Sequence, residues 1–254
     1  MAIPPFDPQS IVQETFVAAV EFRAELPSTN DFAKQRAAEP VCRVPLLVVA
    51  EQQTAGRGRG RNHWWSDSGS LTFSLILDAG RSPLVSLATA VSVVEASEET
   101  CDKTSQLAPI GIHWPNDVFA AGRKLCGILV EVLANRRSAI GVGINVNTPA
   151  EAMPPEIREK AISLMEITGT VQDPTRLLIC FLRRLETWIS RLKSAPAEVA
   201  ARADALCLQH DHVLTVQTAG QTITGRCAGI GPEGQLLLDA PAGQITIHSG
   251  TLVG

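Results

Sequence analysis

The hexapeptide Gly56-Arg57-Gly58-Arg59-Gly60-Arg61 alternates the most permissive backbone with a permanent, multi-donor cation. Glycine lets a loop approach a ligand or change conformation, and guanidinium groups grip phosphate or carboxylate oxygens in a fork. Such a loop is suited to closing over an anion; a disordered Arg-Gly tract on RNA and a solvated surface loop are its other readings. His63-Trp64-Trp65-Ser66 follows, and an indole beside an anion-binding loop can stack on a purine or anchor the core. Trp114-Pro115-Asn116-Asp117-Val118 puts a carboxylate after a rigid turn, and Lys124 follows Asp117 by seven residues. That pair could serve a divalent cation and an acyl or phosphoryl oxygen, or could be an ordinary solvated turn.

Three further segments carry polar chemistry. Ser28-Thr29-Asn30-Asp31 precedes Phe32-Ala33-Lys34, so Ser28 or Thr29 reads as a helix N-cap with Asp31 well placed in the first turn. The two hydroxyls with Asn30 would equally suit a urea-like ligand, which needs a donor to its carbonyl and acceptors for its N–H groups. Gly141-Val142-Gly143-Ile144-Asn145 is apolar strand sequence opened by two glycines, as expected where a ligand approaches a sheet, or at a β-bulge without one. His210 and His212 lack an evident third ligand and read as a surface loop.

Elements must hold these groups together. Residues 45–53, 70–77, 125–133 and 139–147 have the length and β-branched content of strands. Leu84, Leu87, Ala88, Val91 and Val94 recur at helical spacing, as do Leu177, Leu178, Phe181, Leu182, Leu185, Trp188, Ile189 and Leu192; two long amphipathic helices are predicted. After Cys207 the pattern changes to short β-like runs at 212–218, 221–228, 235–238 and 244–248, punctuated by glycine. That predicts a β module too small to be very stable alone, packed on the larger unit.

Composition bounds the rest. The chain has 254 residues, 45% hydrophobic and 19% charged, with formal charge -4, which suits a globular protein and offers no global footprint for nucleic acid. No apolar run approaches the ~20 residues that span a bilayer, and the N-terminus lacks the basic and apolar regions of a signal peptide. A soluble, cytoplasmic protein is expected. The six cysteines form no C-x-x-C pair and read as reduced core thiols.

The order and spacing of Ser28-Thr29-Asn30, Gln53-Thr54-Ala55-Gly56-Arg57-Gly58-Arg59, Trp114-Pro115-Asn116-Asp117, Lys124-Leu125-Cys126-Gly127-Ile128-Leu129-Val130-Glu131 and Gly141-Val142-Gly143-Ile144-Asn145 resemble biotin–protein ligases. The likeness covers residues from about 22 to 195, and residues 225–238 are similar to that family's C-terminal barrel. It implies an α+β fold: a class II synthetase-like catalytic domain with a mixed β-sheet and helices over residues 1–206, then a small SH3-like β-barrel over 207–254. Catalytic sequence begins by Ser28, so no N-terminal DNA-binding domain, no repressor role and no DNA partner are expected.

The resemblance also implies an ATP-dependent, AMP-forming ligase. Biotin's carboxylate attacks the α-phosphate of Mg-ATP to give biotinyl-5′-AMP and pyrophosphate. A lysine of a biotin carboxyl carrier protein or domain then attacks the mixed anhydride and releases AMP. Ser28, Thr29, Asn30, Gln53, Gly127 and Gly141 are implied to meet biotin, with Gly56, Arg57 and Gly58 running along the bound intermediate. Arg59 is implied to contact the phosphate and to belong with the biotin-binding residues, Trp64 lies against adenine, and Asn116 and Asn145 lie near the adenylate. Asp117 meets Mg2+ or the incoming amine, and Lys124 sits beside the reacting carboxylate and α-phosphate. The implied partner is the carrier of a biotin-dependent carboxylase, with no membrane and with a homodimer left open. Lipoate or octanoate ligation within the same superfamily, and nucleic-acid binding through the Gly-Arg loop, are the alternatives. Two positions depart from the family's common lysine: His63 and His113. If either must be charged, activity should rise as pH falls through the imidazole range near ~6.5.

Overall fold

The computed structural model describes residues 6–80, 82–101, 108–133 and 137–253; residues 1–5, read above for a leader, lie outside them. Chain order is α1 (Pro8–Glu14), β1 (Ala19–Leu26), α2 (Thr29–Ala37), β2 (Leu46–Gln53), β3 (Ser70–Leu77), α3 (Leu84–Thr100), β4 (Ile110–His113), β5 (Asp117–Ala120), β6 (Arg123–Val132) and β7 (Ser138–Asn145). There follow α4 (Pro155–Arg158), α5 (Leu164–Thr168), α6 (Pro174–Ser194), α7 (Pro196–Ala205), β8 (Val213–Gln217), β9 (Thr222–Ile230), β10 (Leu236–Ala240), β11 (Gly243–Ile247) and β12 (Thr251–Val253).

The first seven strands form one sheet in the order β1-β2-β3-β7-β6-β5-β4. Only β1 and β2 pair in parallel, so the sheet is mixed. The remaining strands make a five-stranded antiparallel sheet, β11-β10-β9-β8-β12. The fold is α+β with a small C-terminal β unit, as the sequence predicts.

Strand alternation divides the large sheet into a packed face and a working face. On β7, Ile140, Val142 and Ile144 join the main core, whereas Ala139 packs on the α2 side and Gly141, Gly143 and Asn145 share its parity. Helices α3 and α6 cover the packed face. Helix α6 is amphipathic as predicted, burying Leu177, Leu178, Phe181, Leu182, Leu185 and Ile189, while Arg183 and Arg184 reach Glu14 and Glu99 at 2.7 Å. Helix α3 corrects the prediction: it is buried on nearly every side from Leu84 to Ser97. Its hydroxyls make this possible, since Thr89 donates to the Val85 carbonyl at 2.8 Å and Ser92 to that of Ala88 at 2.7 Å, satisfying polar groups within the helix.

The C-terminal unit is tied to the edge strand β4. Ile112 donates to the Leu206 carbonyl at 2.7 Å, and Leu208 donates back to Ile112 at 3.0 Å, covering an otherwise open sheet edge. Gly111 leaves room for this approach: a Cβ there would lie 2.6 Å from the Leu206 oxygen. The fully buried Trp114 donates its indole N–H to the Gly234 carbonyl at 2.9 Å, and its backbone N–H donates to Gln209 Oε1 at 2.7 Å. All six cysteines are free thiols and five are buried. His210 pairs with Asp204 at 3.0 Å. Among the described residues no helix is long and apolar enough to cross a membrane, and no cluster of three metal-ligating side chains occurs.

Candidate active site

A cavity of about 370 Å³ opens on the working face, a volume suited to a small ligand. The start of α2 supplies Ser28, Thr29 and Asn30; the end of β2 supplies Gln53; the following loop supplies Arg57, Gly58, Arg59 and Trp64. Asn116 and Asp117 come from the β4–β5 turn, Lys124 and Gly127 from β6, and Gly141 from β7. The sequence motifs, spread over more than a hundred residues, thus meet around one space.

Two predicted residues stand apart from its lining. Gly56 packs behind the loop, accepting from Trp64 N–H at 2.9 Å. Asn145 points its amide at backbone, donating to the carbonyls of Lys124 and Ile162 at 3.3 and 3.2 Å, so it braces the strand that carries Lys124. The structure also adds residues to which sequence reading assigned no site role. Gly250, Thr251 and Leu252 of the C-terminal unit line the cavity, as do His63, His113, Phe119 and Gly143. For Gly143 the paired glycines were a signal; for the C-terminal residues there was none.

The Gly-Arg segment is an ordered ladder: Gly58 N–H donates to the Asn62 carbonyl at 2.8 Å, and Arg57 and His63 bridge across it. This turns Trp64 inward onto β6 and β7. A Cβ on Gly127 would lie 3.1 Å from the Trp64 ring, and one on Gly143 would collide with it. The two glycines face each other in the β6–β7 register, making a bare seat for the indole.

Hydrogen bonding assigns a polarity to each part of the wall. Ser28 caps α2 by accepting from Asp31 N–H at 3.3 Å, which leaves its own O–H free to donate. Thr29 spends both donors on Gln53 Oε1, its N–H at 2.7 Å and its hydroxyl at 3.1 Å, and accepts from Ser74 at 2.9 Å. Gln53 therefore turns its amide N–H groups elsewhere. Across the cavity, Lys124 Nζ lies 2.8 Å from Asp117 Oδ2, and Arg59 donates to Asn116 Oδ1 at 3.1 Å. Arg57 is held by Asp31 at 2.6 Å and by Glu131 at 3.3 Å. Its hydrogen bond to Asp31 raises the guanidinium pKa further.

Four buried side-chain polar atoms lack a partner among the described residues: Asn30 Oδ1, Trp64 Nε1, Asp117 Oδ1 and Ser97 Oγ. Three of these belong to residues lining the cavity. Buried polar groups are normally paired, so an acceptor, a donor and a carboxylate oxygen gathered here mark a place built for a polar ligand.

His113 stands where the resemblance has a lysine. Burial holds its pKa below the usual imidazole value, and Lys124 adds to this against the opposing pull of Asp117. Its ring stacks on Phe119 at 4.3 Å and approaches Gln209 at 3.5 Å.

A family model described as "Biotin/lipoate A/B protein ligase family" matches residues 23–147. The chain is similar to the bifunctional ligase/repressor BirA of Bacillus spizizenii, at 33% identity over 80% of this chain. It spans only 64% of that relative's length. It is also similar to a biotin–acetyl-CoA-carboxylase ligase of Mycobacterium tuberculosis, at 30% identity over 98% of this chain and 96% of the relative. A biotin protein ligase from Aquifex aeolicus, solved in complex with biotin and ATP, superposes with TM-score 0.82 and 30% identity, covering 93% of this chain and 98% of its own.

Proposed function

Since the chain belongs to the biotin/lipoate A/B protein ligase family, we propose that it activates biotin with Mg-ATP and transfers the biotinyl group to a lysine of a carrier protein. The observation that carries this reading is the polar plan of the cavity. One end offers donors from Ser28 and Gln53 beside the unpaired acceptor Asn30 Oδ1. That matches a cyclic urea, with one carbonyl and two N–H groups. The other end carries Arg59, Lys124 and the indole of Trp64, which suits phosphate and purine. A dithiolane head group would leave the first end unpaired, at ~1–3 kcal/mol per buried group; this favours biotin over lipoate or octanoate.

In the first step the biotin carboxylate displaces pyrophosphate from the α-phosphate of ATP, giving biotinyl-5′-AMP. Two anions must approach, and the Lys124 ammonium offsets the charge that builds between them. Arg59 grips the phosphate, with Asn116 orienting its guanidinium, and Trp64 lies against adenine. Asp117 Oδ1 is a buried carboxylate oxygen without a partner. It would hold magnesium, a hard cation that takes carboxylate oxygen. Magnesium would supply charge neutralisation along the triphosphate. In the second step a carrier lysine amine attacks the acyl carbon, AMP leaves, and the amine proton passes to a base, a role open to Asp117.

Functionally, residues 1–206 form the catalytic domain and 207–254 an accessory domain that supplies the Gly250–Leu252 wall. The acceptor is the carrier domain of a biotin-dependent carboxylase, and the reaction belongs in the cytoplasm, where six unpaired thiols stay reduced. The test is incubation with ATP, magnesium and either biotin or lipoate, followed by mass spectrometry. Biotinyl-adenylate is expected; lipoyl-adenylate alone would shift the substrate, and no adenylate from either would overturn the reading.

A further inference from the structure

Glu131 lies on β6 behind the cavity wall, yet helix α2 and the Gly-Arg loop converge on its carboxylate. Asn30 donates its side-chain amide to Oε2, and Lys34 donates to both oxygens at 3.1 and 3.0 Å. Arg57 adds two bonds of 3.3 Å, one to each oxygen. An ionised carboxylate only accepts. The Asn30 amide must therefore show Glu131 its NH2 group, which turns Oδ1 the other way. That oxygen is buried and unpartnered, on a side chain only 3% exposed that lines the cavity. Beside it the strand is bare: a Cβ on Gly141 would stand 3.2 Å from Asn30 Oδ1.

We propose that Glu131 is a positioning residue that fixes Asn30 as the acceptor for an N–H of a cyclic urea, and so sets which head group the cavity admits. The inference rests on the biotin reading and deepens it. An amide free to rotate presents NH2 as readily as oxygen and accommodates a head group with an acceptor at that point. Glu131 removes the choice. A head group lacking the N–H leaves Oδ1 buried and unpaired, whereas the matched urea satisfies it. Arg57 keeps its shorter anchor at Asp31, 2.6 Å away, so the Gly-Arg loop does not depend on Glu131 alone.

Steady-state adenylation by the wild type, Glu131→Gln and the double variant Asn30→Asp/Glu131→Gln tests this. In the single variant the two facing amides can pair either way round. The biotin KM is expected to rise about tenfold or more, with kcat and the ATP KM within about twofold of wild type. In the double variant the glutamine amide at 131 donates to the carboxylate at 30, whose second oxygen again faces the cavity. The biotin KM is then expected to recover to within about threefold of wild type. An unchanged biotin KM in Glu131→Gln, no recovery in the double variant, or a parallel rise in the ATP KM with a falling thermal midpoint would each overturn the inference. A wild-type protein that makes no biotinyl-adenylate would instead sink the ligase reading, and this inference with it.

Discussion

Lys124 is a case of one side chain whose partner explains its readiness. Its ammonium is paired with Asp117 at 2.8 Å, so the charge is already in place before a substrate arrives and little reorganisation is needed when anions meet there. Replacing it with methionine keeps the stem and removes the charge. Single-turnover adenylate formation by Lys124→Met is expected to slow by ~10²- to 10³-fold, with biotin affinity changed far less; a rate within a fewfold of wild type would contradict the role. His113 acts in the opposite sense. Its pKa is depressed by burial, with Lys124 adding and Asp117 opposing, so the folded state prefers the neutral ring. Its contribution to stability is present above the unfolded value near ~6.5 and is lost as pH falls through the lower folded value. The thermal midpoint of His113→Phe should therefore fall less than that of the wild type between pH 7 and pH 5. Adenylation should show no gain from His113 protonation over pH 8 to 6, contrary to a requirement for a cation there.

Among elements, the β6–β7 pair carries the most consequence, because Gly127 and Gly143 face each other under the Trp64 ring. Gly143→Ala forces the indole off its seat; the expected result is a raised ATP KM and an altered tryptophan emission, with the fold retained. Strands β2, β3, β6 and β7 were legible in the sequence, and so was α6, because their periodicity is local; β1 and the short β4 and β5 were not read. The wall formed by Ser28, Gln53, Arg59, Asp117 and Lys124 was legible only through the order of motifs, since each motif alone had an ordinary explanation. Asn145 shows where reading stops: an amide after two strand glycines looks the same whether it faces a ligand or, as here, two carbonyls. Glu131 was hidden for a related reason. Its partners Asn30, Lys34 and Arg57 arrive from distant segments, and no local pattern encodes that packing. Helix α3 was read as one-sided because its apolar spacing is helical, but small residues and back-bonded hydroxyls let it be buried all round.

Across the whole molecule, the C-terminal unit is fastened at the turn that bears Asp117. Trp114, two residues before Asn116, spends its indole N–H on Gly234 and its backbone N–H on Gln209. Trp114→Phe removes one buried bond and leaves the Gly234 carbonyl unpaired, a loss of ~1–3 kcal/mol. Differential scanning calorimetry is expected to show one transition at a lower midpoint, because the shared core gives the two units little independence; two separated transitions would show that they unfold apart. The strand order has a consequence in time. β3 pairs with β7, Ser70 opposite Asn145, and β6 and β7 are made long after β3. A growing chain emerging from the ribosome thus carries β3, five of its eight residues apolar and seven destined for burial, with one side unpaired until residue 145 is made. During that interval it is an open template for association with other nascent chains, so yield in the cell should depend on chaperone capacity and growth temperature even where the finished protein is stable.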